Sequence, residues 1–204
     1  LPVQSGSDRV LKRMIRRHTR QEYIERIARL RDMVPGVAVS TDIIVGFCGE
    51  TDEDFEQTLS LLEEVGHTGV FAFKYSVRPN TPARKIKDDV PEEVKSERLQ
   101  RLFAVSERLL GEHLGALVGT RQQVLVEGPS KSNPDNATGR SERNEIVHIE
   151  GAEDLEMVGE MVEVEIIEAF KHSLLGRLVE GAREALPKRA GGEKRRKLPL
   201  MRSE

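Results

Sequence analysis

The 204 residues carry 32 Lys and Arg against 35 Asp and Glu, a net charge of -3, and are 37% hydrophobic and 33% charged. That balance excludes a disordered polyelectrolyte, and no apolar run reaches the roughly 20 residues that a membrane-spanning helix needs. A single cysteine, Cys48, excludes an internal disulfide and gives no sign of an oxidising compartment, so a cytoplasmic setting is expected.

The length suits one large domain, or one medium and one small. The chain begins at Leu1, inside what reads as a strand end, without the basic-then-apolar pattern of a secretory leader, so a piece of a longer protein is expected. After that strand end, Ser5-Gly6-Ser7 reads as a tight turn. Ser7 caps a helix with Val10, Leu11, Met14 and Ile15 on its apolar face, ending at the basic run Arg16, Arg17 and His18. Thr19 with Glu22 forms a capping box for a second helix. Its face is Tyr23, Ile24, Ile27, Leu30, Met33 and Val34, and Pro35-Gly36 stops it.

Residues 37–45 are expected to form a strand with a buried face. Its later part runs through a glycine-bracketed turn, Gly46-Phe47-Cys48-Gly49-Glu50, into a third helix. Thr51 and Asp54 cap that helix, and Phe55, Leu59, Leu62 and Val65 give it a core face. Residues 69–75 read as the next strand. Helices alternating with strands imply parallel strands joined by right-handed crossovers, hence an α/β barrel or open sheet.

Residues 76–90 read as an extended loop with Arg78, Arg84, Lys85 and Lys87. Pro91 then starts a long helix with Val94, Leu99, Leu102, Phe103, Leu109, Leu110, Leu114 and Leu117 on its apolar side and Gly119 closing it. After Gly119 the hydrophobic period changes to two. Strands are expected at 121–127, 145–150, 160–168 and 174–180, in a small all-β barrel of the kind that grips single-stranded nucleic acid. The division expected is an α/β unit at 1–116, a β-barrel at 117–181, and a basic tail at 182–204 that is expected to be disordered.

Strand ends are where α/β sheets place ligands, so the turn at 46–50 reads either as a ligand cradle of backbone amides or as a plain strand-to-helix turn. Gln4, Ser5 and Ser7 sit at another strand end and can either face a ligand or cap a helix. Asp42 and Glu50 are candidates for an acid/base pair, with a polar barrel interior as the alternative for Asp42. Cys48 has no base placed beside it, and the five histidines show no metal-ligand spacing.

Four stretches carry a resemblance. They are Leu-Pro-Val-Gln-Ser-Gly-Ser-Asp from Leu1, Asp-Ile-Ile-Val-Gly-Phe-Cys-Gly-Glu-Thr from Asp42, Tyr-Ser-Val-Arg-Pro-Asn-Thr-Pro-Ala from Tyr75, and Val-Pro-Glu-Glu-Val-Lys from Val90. In this order they closely resemble the methylthiotransferase family of radical S-adenosylmethionine enzymes. The first stretch and Phe73-Lys74-Tyr75-Ser76 look most like the branch that methylthiolates isopentenyl-adenosine beside the tRNA anticodon. The branches acting on threonylcarbamoyl-adenosine and on a ribosomal-protein aspartate are the nearer alternatives, and a stand-alone RNA-binding module is the alternative of another class.

The resemblance implies the last strands of a partial parallel (β/α) barrel, followed by a TRAM domain, a small OB-like β-barrel that holds tRNA. It implies S-adenosylmethionine and two four-iron-four-sulfur clusters in the parent enzyme, an electron donor to reduce them, a deoxyadenosyl radical that activates the adenine, and a monomer as the favoured state. It places Gln4, Ser5, Ile44, Val45, Gly46, Phe73 and Tyr75 on the cofactor side. Arg78, Arg121, Lys131, Arg140, Arg143 and Lys171 are expected to contact tRNA. Two departures stand out: Cys48 replaces the family's proline, and the cluster cysteines are absent, so these residues are expected to be inactive alone.

Overall fold

Two capping boxes set the frame of the first module. In the computed structural model, which describes residues 1–79, 81–131, 133, 135–151 and 157–182, Thr19 and Glu22 cap α2 (Arg20–Met33) and Thr51 and Asp54 cap α3 (Asp52–Val65). A shorter α1 (Asp8–Arg13) starts at the Ser7 cap. Between the helices run β1 (Ser40–Val45) and β2 (Gly69–Lys74), parallel and in register from Ser40 opposite Gly69 to Val45 opposite Lys74. Gln4 joins the other edge of β1: its amide donates to the Asp42 carbonyl at 2.9 Å, and its carbonyl accepts from the Ile44 amide at 2.9 Å. The segments ending at Gln4, Val45 and Lys74 therefore lie side by side and parallel, as the alternating helix and strand pattern requires.

Alternation along β1 sorts its side chains. Thr41, Ile43 and Val45 are buried toward the helices, and Asp42 and Ile44 point to the opposite, half-open face. Tyr23, Ile27, Phe55, Leu61 and Leu62 fill the space between β1 and the helices. Each such side chain stabilises the fold by about 1.5–3 kcal/mol. The fold differs from the sequence reading at several edges. The first strand starts at Ser40 rather than 37, and α1 stops at Arg13, leaving Ile15 exposed in a left-handed conformation. Met33, Val34 and Phe103 are likewise exposed, because apolar periodicity continues one position beyond what the core can cover.

After β2 the loop contains a 3₁₀ turn (Pro82–Lys85) and leads into α4 (Glu92–Ala116). At about 1.5 Å per residue, α4 spans ~37 Å. It links two cores, giving Leu102 and Leu109 to the α/β module and Leu114 to the barrel behind it. Among the described residues no helix is long and apolar enough to cross a membrane.

The second module is a closed barrel of β3 (Arg121–Pro129), β4 (Ala137–Ser141), β5 (Ile146–Glu150), β6 (Met161–Ala169) and β7 (Leu174–Leu178), in the order β3-β4-β5-β7-β6. The pairing of β3 with β6 closes it, and β5 runs parallel to β7. Valine, isoleucine and leucine side chains from β3, β5, β6 and β7 fill the interior. Strand β4 is absent from the sequence reading because its inward positions, Ala137, Gly139 and Ser141, are too small to show as apolar alternation. The barrel demands that smallness: a Cβ at Gly139 would collide with the Leu125 carbonyl oxygen and come within 2.7 Å of Val124. Residues 183–204, which hold the expected basic tail, lie outside the described residues.

Candidate cofactor and substrate site

The open face of the parallel segments bounds a cavity of about 460 Å³, within the range of small-molecule sites. Gln4, Asp42 and Ile44 form its floor, and Phe73 and Tyr75 at the end of β2 form one wall. The turn after α1 adds Arg13, Met14, Ile15 and Arg16, and the loop after β2 adds Arg78 and the 81–83 stretch. Register explains the wall: Asp42 pairs with Phe71 and Ile44 with Phe73, so all four share one face, and Phe73 stays 57% exposed.

Of the residues expected on the cofactor side, Gln4, Ile44, Phe73 and Tyr75 line this cavity. Ser5, Val45 and Gly46 do not. The Ser5 hydroxyl lies 3.3 Å from that of Thr58 on α3, and Val45 is in the core by strand alternation. The Gly46 amide donates to Glu50 Oε2 at 2.6 Å, and a Cβ at Gly46 would collide with Lys95.

The turn at 46–50 is closed by its own neighbours. Besides Gly46, the Gly49 amide donates to Asp89 Oδ1 at 2.5 Å and the Glu50 amide to the Phe47 carbonyl at 2.8 Å. These amides are satisfied, so the plain strand-to-helix turn is the reading that the geometry supports. Asp42 and Glu50 are not a pair either. Asp42 faces the cavity, whereas the buried Glu50 carboxylate accepts from Arg98 Nη1 at 2.9 Å. Burial holds Glu50 above the usual carboxylate range, with Gly46 and Arg98 opposing the shift. Arg98 also reaches Asp52 at 2.7 Å, tying α4 to the end of the turn.

Below the turn, Ser7 donates to Asp54 Oδ1 at 2.6 Å, Arg9 pairs with the same carboxylate, and the Thr51 amide donates to Oδ2 at 2.8 Å. Burial alone would raise Asp54, but these donors, Arg9 foremost, hold it well below the usual carboxylate range. Ser7 therefore serves α1 and this network rather than the cavity. Tyr75 packs edge-on against Phe47 with ring centroids 4.9 Å apart. Burial, with Cys48 beside its hydroxyl, pushes it up to about 12. Cys48 is fully buried, and the His67 ring bonds Tyr23 Oη at 3.0 Å inside the core. No group of three or more His, Cys, Asp or Glu among the described residues is placed to hold a metal ion.

The residues expected to contact RNA are scattered. Arg78 lies on the cavity itself. Arg121, Lys131, Arg140 and Lys171 are on the barrel module; Arg121 and Lys171 are exposed, with ion pairs to Glu163 at 3.8 Å and Glu107 at 3.0 Å, and Arg140 lies 3.6 Å from Glu127. Arg143 is committed within the protein, donating to the Gly36 carbonyl at 2.5 Å and to Gln122 Oε1 at 3.2 Å. It joins the barrel to the turn between α2 and β1. On the other side of the same β4–β5 turn, Glu145 meets His113 of α4 at 2.7 Å. The sequence reading missed Arg13, Met14, Ile15 and Arg16 as cavity residues. They passed for a helix end because a left-handed isoleucine has no sequence signal.

With this geometry in view, residues 1–62 match the radical SAM superfamily and residues 115–179 match the TRAM domain. Residues 1–62 are thus a radical SAM segment. The chain is 56% identical, along its whole length, to the tRNA-2-methylthio-N(6)-dimethylallyladenosine synthase of Sorangium cellulosum (strain So ce56), covering 43% of that protein. It is 49% identical over 87% of its length to the protein of the same name from Acidithiobacillus ferrooxidans, and 44% identical over 88% to that from Janthinobacterium sp. (strain Marseille), covering 39% and 40% of them. The chain thus spans about two fifths of the length of these curated relatives. The cavity joins the strand ends at Gln4 and β1, inside the residues matched to the radical SAM superfamily, to β2 and its loop beyond them, and the closed barrel falls in the residues matched to the TRAM domain.

The cavity fits S-adenosylmethionine in size and polarity. Ile44 and Phe73 would offer apolar faces to an adenine, Asp42 would suit an ammonium or ribose hydroxyls, and Arg13 would suit a carboxylate. A four-iron cluster does not fit these residues: it needs several thiolates, and the one thiol is buried away from solvent.

Proposed function

We propose that this chain supplies the cofactor-side wall and the RNA-holding barrel of a cytoplasmic enzyme that adds a methylthio group to isopentenyl-adenosine in tRNA. The observation that carries the reading is the 56% identity, extending over both modules, to a relative named for that reaction. The cavity on the parallel strands supports it, because one apolar site edged with arginines suits a nucleoside cofactor and an RNA base together.

When bound, S-adenosylmethionine supplies the group that takes a hydrogen atom from the adenine. Ile44 and Phe73 would hold the cofactor's adenine by apolar contact, Gln4 and Asp42 would orient its polar atoms, and Arg13 would pair with its carboxylate. Tyr75, kept in its neutral form by burial, shapes the wall. The exposed Arg121, Lys131 and Lys171, with the half-buried Arg140, draw tRNA to the barrel by counterion release, offsetting a chain that is acidic overall.

Deletion of the gene, followed by nucleoside analysis of bulk tRNA, tests this reading. The methylthio-isopentenyl nucleoside should vanish and its isopentenyl precursor accumulate. Loss of the methylthio form of threonylcarbamoyl-adenosine instead, or an unchanged profile, would refute it.

A further inference from the structure

Three non-glycine residues among those described have positive φ: Gln4 at 75°, Ile15 at 59° and Asn144 at 73°. The first two line the cavity. Asparagine tolerates this conformation, but a β-branched isoleucine is strained in it, and such strain concentrates where a site needs a particular shape. Its effect at Ile15 is visible. The chain reverses at the end of α1, the Arg16 amide donates to the Leu11 carbonyl at 2.9 Å, and Arg16 is delivered to the cavity edge. Arg78 reaches the same cavity from the loop three residues beyond Tyr75.

Both arginines are exposed, and neither forms an ion pair among the described residues. Other cations of the module are neutralised: Arg9, Arg98, Arg101 and Arg108 each hold a carboxylate, and Lys74 holds Glu92. Two unneutralised guanidiniums on the rim of an apolar cavity match a diffuse oxyanion, and their forked donors suit phosphate. A base that leaves its stack to enter a cavity brings its own backbone phosphate to the rim. The apolar surface of Ile15, which is 66% exposed, lines the same cavity as these arginines, where such a base would stack.

Building on the tRNA reading, we infer that Arg16 and Arg78 clamp the backbone phosphate of the nucleotide whose base is modified. The test uses the whole enzyme that contains this chain and an anticodon stem-loop RNA carrying isopentenyl-adenosine, with binding followed by fluorescence anisotropy across a salt series. Retention of S-adenosylmethionine is measured in parallel. Arg16→Ala and Arg78→Ala should each weaken RNA binding at least tenfold. The slope of log affinity against log salt should fall by about 0.7, the value for one phosphate on a single strand. Cofactor retention should not change. Arg17→Ala, at an exposed position that does not line the cavity, serves as the control and should bind RNA like the parent.

The inference is overturned if RNA affinity is unchanged, if cofactor retention falls while RNA binding holds, or if Arg17→Ala is as harmful as the other two. An enzyme that shows the clamp yet leaves methylthio-nucleosides unaltered in the cell would sink the functional reading alone.

Discussion

Arg98→Ala is the perturbation whose outcome the structure specifies most fully. The Arg98 guanidinium is buried and reaches Glu50 Oε2 at 2.9 Å, the Glu50 carbonyl at 3.2 Å and Asp52 Oδ1 at 2.7 Å, while the Glu50 side chain is 1% exposed. Truncation leaves the Glu50 carboxylate with the Gly46 amide at 2.6 Å and no cation. Stranding one member of a buried pair costs about 3–5 kcal/mol. Replacing both members, Arg98→Met with Glu50→Gln, keeps an acceptor for Gly46 and removes both charges, so most of that loss should return.

The pH dependence follows from the direction of the Glu50 shift. Its folded pKa lies above the unfolded one, so its favourable contribution is complete below the unfolded value and is lost as pH rises through the folded value. Without Arg98 that loss should deepen. Urea unfolding followed by circular dichroism, at pH 4 and pH 7, measures both effects. A cost below about 1 kcal/mol for Arg98→Ala, or a double variant as unstable as the single one, would refute the argument that this pair closes the turn beneath the cavity.

His67, buried against Tyr23 and near the charge of Arg31, is pushed down to about 4. The unfolded chain therefore takes up a proton between pH 6.5 and 4 that the folded chain refuses. Stability should fall by about 3 kcal/mol across that window, and His67→Gln should flatten the profile in the same urea series. Gly139→Ala forces a Cβ into the backbone of β3 and should destabilise the barrel by about 1–3 kcal/mol, read as protease sensitivity confined to the region after α4. Arg143→Ala removes the donors to Gly36 and Gln122 and touches no exposed phosphate site. It should lower turnover while leaving the salt slope of tRNA binding unchanged, and a fallen slope would place Arg143 on the RNA.

Legibility in the sequence followed the range of the interactions. Capping boxes at Thr19 and Thr51 act over three residues, so both helix starts are readable, and β1 and β2 declare themselves by alternation and aromatic content. Strand β4 is hidden because closing a tight barrel rewards small inward residues, which reverses the usual signal. The site shows the same split. Gln4 follows from where a strand ends, and Ile44, Phe73 and Tyr75 follow from the family resemblance, whereas Arg16 depends on a strained isoleucine and Arg143 on a tertiary contact 107 residues away in the chain. Glu50 looked like a partner for Asp42 because both are acidic and close in sequence. The strand pleat and the buried Arg98 separate them.

Every proposed role depends on the chemistry being held in the cavity on the parallel strands. Ile44 forms its floor on a half-open face, so Ile44→Trp directs added bulk into the cavity. The decisive measurement is the methylthio-isopentenyl nucleoside content of tRNA from cells whose chromosomal copy carries that substitution, with protein abundance checked alongside. A normal amount of protein with loss of the methylthio group is expected; wild-type modification with the cavity filled would contradict that placement.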